Sequence, residues 1–334
     1  MQIIVLHTFC PSAGDSVSHI AAALSRELES RGHKCEEMRM PFDPASPPLE
    51  QILAFRLLEP VEYGDLLISL HPPCHVVHHR RKVIWAGGKA FRCGHLMPEG
   101  YFRQDPASNS VLASMRVSDR MAFAEARKIF FDSPSSCESF KREEGIEASF
   151  LPFPSCVARR EMPKQKILAA SLHSASRVQL LLSLEAFAAV PQDFLLWLFG
   201  NLPFSAEQWS SLLRRLGLED RVKVLPAAQW AESLPAAMGV IGLSDNAGVL
   251  GRLAIDAHAC DAPVVAFDSP AAAEWIEDGR NGLLSPLDSH ALASILTQLT
   301  SRPDAMRSLG RAGRERLGEW GANWDYAISA ITAL

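Results

Sequence analysis

Gln2-Ile3-Ile4-Val5-Leu6-His7, then a loop through Cys10-Pro11-Ser12-Ala13-Gly14, then apolar residues at Val17, Ile20, Ala21, Leu24 and Leu28: this opening stretch decides the fold. The first run is rich in β-branched residues and predicts a strand. The second set recurs at i, i+3, i+4 and i+7, one stripe of a helix facing a sheet. Arg31-Gly32-His33 ends that helix, with Gly suited to the left-handed position just past the last turn. The pattern then repeats. Residues 66–70, 82–86 and 128–132 read as strands, and Ser133-Pro134 reads as a cap followed by proline at the first helical position, with a helix to about Glu144. A second series follows the proline-rich Pro152-Phe153-Pro154-Ser155, with strands at 167–171, 194–200, 222–225, 240–243 and 263–267. Strands separated by helices of ten or more residues imply right-handed βαβ units and parallel sheets.

The expected fold class is therefore α/β, with two doubly wound Rossmann-like domains whose parallel sheets face a central cleft. Residues 1–155 form the first domain, 156–165 a linker and 166–318 the second domain. A last helix at 319–334 carries Trp324, Ile328 and Ile331 on one face, and either crosses back to the first domain or packs on its own.

Composition narrows the function classes. The 334 residues carry 33 Lys and Arg against 38 Asp and Glu, and the net charge of −5 is shared between both halves. A nucleic-acid binder usually shows a basic domain or stripe, and neither half is basic. The start of the chain has no basic leader and no apolar run approaches a membrane span, so a cytoplasmic protein with at most peripheral membrane contact is expected. Seven scattered cysteines without a CxxC pair fit reduced thiols.

In doubly wound sheets, ligands lie beyond the carboxyl ends of the strands, where helix N-termini carry about half a positive charge each. That favours an anionic ligand such as a phosphate. Gly14 to Ser16 could offer backbone N–H groups, with His19 in the first turns of the following helix. Residues 66–98 contain no acidic side chain but hold Arg80, Arg81, Lys82, Lys89 and Arg92 and five histidines, which reads as a solvated surface or as an anion-facing wall. Cys74, His75, His78, His79, Cys93 and His95 match no standard zinc spacing, and no metal is expected. Asp245 and Asn246 follow an apolar strand, where they form turns or caps or meet a ligand. Asp256 sits inside the apolar run Leu253-Ala254-Ile255-Asp256-Ala257, and a carboxylate buried there needs a partner.

Four segments carry a family resemblance. They are Gly14-Asp15-Ser16-Val17-Ser18-His19-Ile20 with Arg31-Gly32-His33; Ala124-Glu125-Ala126-Arg127-Lys128-Ile129-Phe130-Phe131-Asp132-Ser133; Leu216-Gly217-Leu218-Glu219-Asp220-Arg221-Val222; and Ile255-Asp256-Ala257-His258-Ala259-Cys260-Asp261-Ala262-Pro263-Val264-Val265-Ala266 with Glu274 and Asp278-Gly279-Arg280-Asn281-Gly282. Together they resemble family 4 of the retaining nucleotide-sugar glycosyltransferases, which have the GT-B fold. The resemblance implies transfer of a sugar from a nucleotide-diphosphate donor to a hydroxyl acceptor (a glycan, a lipid or a small molecule), with retention of configuration, as in polysaccharide biosynthesis. It implies no cofactor and no metal, since the departing phosphate assists the acceptor.

By the same resemblance, Lys89, Asp245 and His19 would be catalytic. Arg177, Asn246, Asp256, Glu274, Gly14 and Asp15 would hold the donor, Asp256 at the ribose. The chain also departs from the family pattern. Ser171-Leu172-His173-Ser174-Ala175-Ser176-Arg177 lacks the first of the usual Arg and Lys pair, the two acids lie eleven positions apart instead of eight, and Ala86-Gly87-Gly88-Lys89 replaces a histidine-rich loop. These departures motivate an alternative, a catalytically degenerate GT-B protein that acts as a binding or partner subunit.

Overall fold

The computed structural model describes the chain apart from residues 10–17, 44, 59–63, 88–90, 98–100, 102–104, 159, 161 and 334. It divides into two compact units, Met1–Phe153 with Trp324–Leu334, and Pro154–Asn323. Residues 156–165, expected as a linker, belong to the second unit. That unit begins at Pro154 because Arg252 donates to the Pro154 carbonyl at 2.9 Å and Ser155 donates to Asp256 at 2.7 Å.

The first unit is built on six strands: β1 (Gln2–Phe9), β2 (Lys34–Pro41), β3 (Leu66–Leu70), β4 (Lys82–Ala86), β5 (Ala126–Phe131) and β6 (Ser149–Phe150). They lie in the order β2-β1-β3-β4-β5-β6, every pairing parallel. Helices α1 (Ser18–Ser30), α2 (Pro48–Leu57), α3 (Pro106–Glu125) and α4 (Pro134–Glu144) connect them. β3 and β4 are buried at every residue, as strands covered on both faces require.

Four of the five residues of the stripe expected on α1 face the core, and the fifth, Val17, lies outside the described residues. Ile20, Ala21, Leu24 and Leu28 pack with Ile3, Val5, Leu66 and Ile68, and burying each large apolar side chain stabilises by about 1.5–3 kcal/mol. Ser133 caps α4 by accepting from Ser136 N at 3.3 Å, with Pro134 at the first helical position and Gly145 closing the helix at φ 70°. Four elements of this unit carry no clear sequence signal: α2, the two-residue β6, β2 and α3. β2 is an edge strand whose residues Lys34-Cys35-Glu36-Glu37-Met38-Arg39 are mostly solvent-facing, and α3 carries an apolar stripe too broken to register.

The second unit repeats the plan. Its sheet runs β12-β11-β10-β7-β8-β9, all parallel, from β7 (Gln165–Ser171), β8 (Leu195–Phe199), β9 (Val222–Leu225), β10 (Ala237–Gly242), β11 (Val264–Phe267) and β12 (Gly282–Ser285). Helices α5 (Arg177–Ala188), α6 (Ala206–Leu216), α7 (Trp230–Ser233), α8 (Ala247–Ala259), α9 (Pro270–Ala273), α10 (Ser289–Thr300) and α11 (Pro303–Glu319) flank it. The five expected strands are present, β9 at the expected bounds and the others with ends shifted by up to three residues.

The last helix, α12 (Trp324–Thr332), is part of the first unit. Ala327, Ile328 and Ile331 enter the core beside Ile20, Leu24 and Leu28. Lys128 donates to the carbonyls of Ala330 and Ala333 at 2.9 and 2.8 Å, a cation on the negative end of the helix. Among the described residues, no helix is long and apolar enough to cross a membrane.

Candidate functional site

In the second sheet β7 and β10 are neighbours, and the strand order reverses between them. That is the point where a doubly wound sheet leaves a crevice at its carboxyl edge. The loop after β7 carries Ser174 at φ 53°, and Ser176 N donates to the Leu243 carbonyl at 2.6 Å, which ties this loop to the end of β10. Ser176 also caps α5 by accepting from Gln179 N at 3.4 Å. The buried Gln179 then donates from Nε2 to Asp245 Oδ1 at 2.6 Å. Asn246 caps α8, its Oδ1 accepting from Gly248 N at 3.0 Å and Val249 N at 3.2 Å. Two helix N-termini and one exposed carboxylate, Asp245, therefore meet at the reversal.

Asp256 lies in the middle of α8 and is 4% exposed. The partner that its burial requires exists three times over. Ser155 Oγ donates to Oδ1 at 2.7 Å, Arg252 reaches Oδ1 at 3.1 Å from one turn earlier, and Trp230 Nε1 donates to Oδ2 at 3.1 Å. Burial works most strongly against the Arg252 charge, yet Asp256 and Cys156 together outweigh it and hold the guanidinium pKa above its ordinary value. Ser155, Trp230 and Arg252 had not been read as site residues. Arg252 was legible as an i, i+4 partner of Asp256, whereas nothing local marks Trp230 or Ser155.

The remaining expected residues fall in different places. Arg177 is exposed at the first turn of α5 with its guanidinium 4.6 Å from the centroid of the Phe204 ring, beside a cavity of about 320 Å³ that Gln208, Ser211 and Arg215 also line. Its charge is thus laid on the α5–α6 side, where cation–π attraction holds it. Glu274 follows α9 beyond the carboxyl end of β11, and its Oε2 is buried with no hydrogen-bond partner. His19 is exposed on the first turn of α1. Gly14, Asp15 and Lys89 lie outside the described residues.

Among the described residues, the basic stretch at 66–98 does not form one anion-facing wall. Lys82 is fully buried at the amino end of β4, donating to the carbonyls of His75 and Val77 at 2.8 and 3.1 Å and pairing with Glu125 at 3.3 Å. Burial lowers its pKa to about 8, and Glu125 only partly offsets that. Arg92 is taken by Glu143 and Glu144. Carboxylates distant in sequence neutralise both charges, which a count over the local stretch does not reveal. The histidines also separate: His78 faces Glu125, His79 is held by backbone groups, and His95 sits edge-on to Phe91. His71, just after β3, sits at φ 71°, and burial lowers its pKa.

Two parallel, doubly wound units of this kind define the GT-B class. Residues 164–302 match the family model described as glycosyl transferases group 1. The resemblance to the family 4 transferases is thereby borne out across most of the second unit. Among curated relatives, the chain is 28% identical over 125 residues to a D-inositol 3-phosphate glycosyltransferase of Gordonia bronchialis, covering 36% of this chain and 26% of that one. It is 31% identical over 197 residues to the alpha-maltose-1-phosphate synthase of Mycolicibacterium smegmatis, covering 55% and 47%. These alignments span less than half the length of either relative. Among solved structures, Anabaena HepE, determined with UDP and glucose, covers 100% of both chains at a TM-score of 0.67 and 17% identity. WaaG, a glycosyltransferase of lipopolysaccharide biosynthesis, gives 0.67 at 14%, again over 100% of both chains. The sucrose-phosphate synthase of Thermosynechococcus elongatus gives 0.64 at 18%, over 98% of this chain and 97% of that one. At these identities the likeness is one of fold.

Proposed function

We propose that the protein is a glycosyltransferase that takes a sugar from a nucleotide-diphosphate donor and passes it, with retention, to a hydroxyl of a glycan, a lipid or a small molecule. The observation that carries this reading is the reversal between β7 and β10, inside the segment that matches the glycosyl transferases group 1 model. There the N-termini of α5 and α8 offer partial positive charge to a diphosphate. HepE, with the same fold, holds UDP and glucose. Glu274, with its unpartnered carboxylate oxygen, is the group available for a sugar hydroxyl, and Asp245 faces the same edge. The diphosphate leaves carrying negative charge, so fixed dipoles aimed at it lower the barrier, and the resemblance requires neither a protein nucleophile nor a metal ion.

A second reading has its own observation. Both oxygens of Asp256 are engaged by Ser155, Arg252 and Trp230, and Arg177 rests on Phe204. A ribose hydroxyl reaches Asp256 only by joining or displacing these donors. This favours a GT-B protein that binds a ligand or a partner without turnover.

Incubation with a panel of nucleotide-diphosphate sugars, with and without candidate acceptors, separates the readings. Release of nucleoside diphosphate supports the transferase. Donor binding with no hydrolysis or transfer across the panel supports the second.

A further inference from the structure

His75, Cys93 and Asp119 come from three separate places in the first unit: the short turn Cys74–Val76, the short turn Cys93–Leu96 and the body of α3. All three are buried, at 1%, 0% and 1% exposure. One imidazole nitrogen, the thiol sulfur and one carboxylate oxygen lie within 4.8 Å of one another. We propose that these three side chains hold a structural zinc ion that staples the two turns to α3.

The chemistry of the donors selects the metal. A thiolate, an imidazole and a carboxylate form a borderline-soft set that suits zinc and is poor for magnesium or calcium. Zinc bonds of about 2.0–2.3 Å place tetrahedral ligands about 3.5 Å apart, so binding must open the 2.8 Å contact of His75 Nε2 with Asp119 Oδ1 or use the other oxygen.

The polar bookkeeping of the cluster points the same way. Asp119 Oδ1 is shared by His75 Nε2 at 2.8 Å and Cys93 N at 3.1 Å, while Oδ2 is buried with no hydrogen-bond partner. Around it the site is apolar, with Phe123 stacked on His75 at 5.3 Å and Met115 and Ala122 in the adjoining core. A carboxylate in such a place calls for a cation. Lys82 does not supply one, since its ammonium goes to Glu125 and to the carbonyls of His75 and Val77. Its bond to the His75 carbonyl fixes the backbone that carries the imidazole, a supporting contact of the kind metal ligands have.

The test uses the full chain. After exhaustive dialysis, elemental analysis should find one zinc per chain. Substitution by cobalt should give a thiolate-to-cobalt charge-transfer band in the near ultraviolet. Both Cys93→Ser and Asp119→Asn should lower metal affinity at least tenfold, and Cys93→Ser should abolish the band. Should either variant fail to fold, the wild-type cobalt spectrum still decides. A folded wild-type protein that carries no zinc and shows no such band when offered cobalt overturns the proposal, leaving a hydrogen-bonded His–Asp pair. Metal retained unchanged in both variants also overturns it. Neither result depends on donor binding or turnover.

Discussion

Trp230 Nε1 donates to Asp256 Oδ2 across 3.1 Å, joining α7 to the middle of α8. This bond occupies the carboxylate oxygen that Ser155 and Arg252 leave free. Replacement by Phe keeps most of the ring contact with Phe199, at 5.3 Å, and removes only the donor. Trp230→Phe should cost about 1–3 kcal/mol, the range for a buried acceptor left without its partner. Urea denaturation measures it, with the midpoint lowered and the slope unchanged.

His258 gives the second unit an acid-sensitive contact. It is fully buried with Nε2 3.0 Å from the Asn281 carbonyl, and burial lowers its pKa to about 4 from 6.5. Between those values the unfolded chain holds the proton and the folded chain does not, so stability rises with pH across that window and is lost on acidification from 6.5 towards 4. The slope from this one group is at most about 1.4 kcal/mol per pH unit. His258→Gln should flatten the stability–pH curve between 4 and 6.5, whatever it does to the plateau. An unchanged slope would show that the imidazole is not buried.

Two glycines set how closely elements pack on α8. A Cβ at Gly251 would stand 2.3 Å from the Trp275 ring, and one at Gly313 would stand 2.3 Å from the His258 ring. Each neighbour is itself buried and has little room to move. Gly251→Ala and Gly313→Ala should each lower stability by about 1–3 kcal/mol through overpacking, although alanine is the better helix former. Thermal denaturation of the two variants checks this, and neutral or stabilising effects would contradict the packing.

α12 should behave as part of the first unit's core. Ile328 is 4% exposed against α1, so Ile328→Ala should cost about 2–5 kcal/mol by leaving a cavity. Hydrogen exchange on this variant should show faster exchange in α1 and β1, the elements lining the cavity, with α5 and α10 of the second unit unchanged.

Most of the fold was readable because buried parallel strands announce themselves. Leu66-Leu67-Ile68-Ser69-Leu70 and Val264-Val265-Ala266-Phe267 are continuous runs flanked by helical periodicity. β2 hid because an edge strand exposes most of its side chains, and β12, also at an edge, because Gly282-Leu283-Leu284-Ser285 holds only two apolar side chains larger than glycine. The site was legible in part. Asp256 was marked by an acid among apolar neighbours, and its need for a partner followed from burial. Which partners it takes did not follow, since Trp230 and Ser155 come from segments 26 and 101 positions away. Arg177 is expected to hold the donor, whereas its guanidinium rests on Phe204, a loop residue with no local signal. The Lys82–Glu125 pair was invisible for the same reason: a residue count along the chain sees charge and not the fold that neutralises it.

The central claim, that the β7–β10 reversal receives a nucleotide-diphosphate sugar, is tested most directly by calorimetric titration of the full chain with such sugars of each common base. The account predicts saturable heat with at least one donor, weakened at least tenfold by Glu274→Gln and left intact by Lys128→Ala, which lies in the other unit. Absence of heat with every donor, from protein shown to be folded, would contradict it.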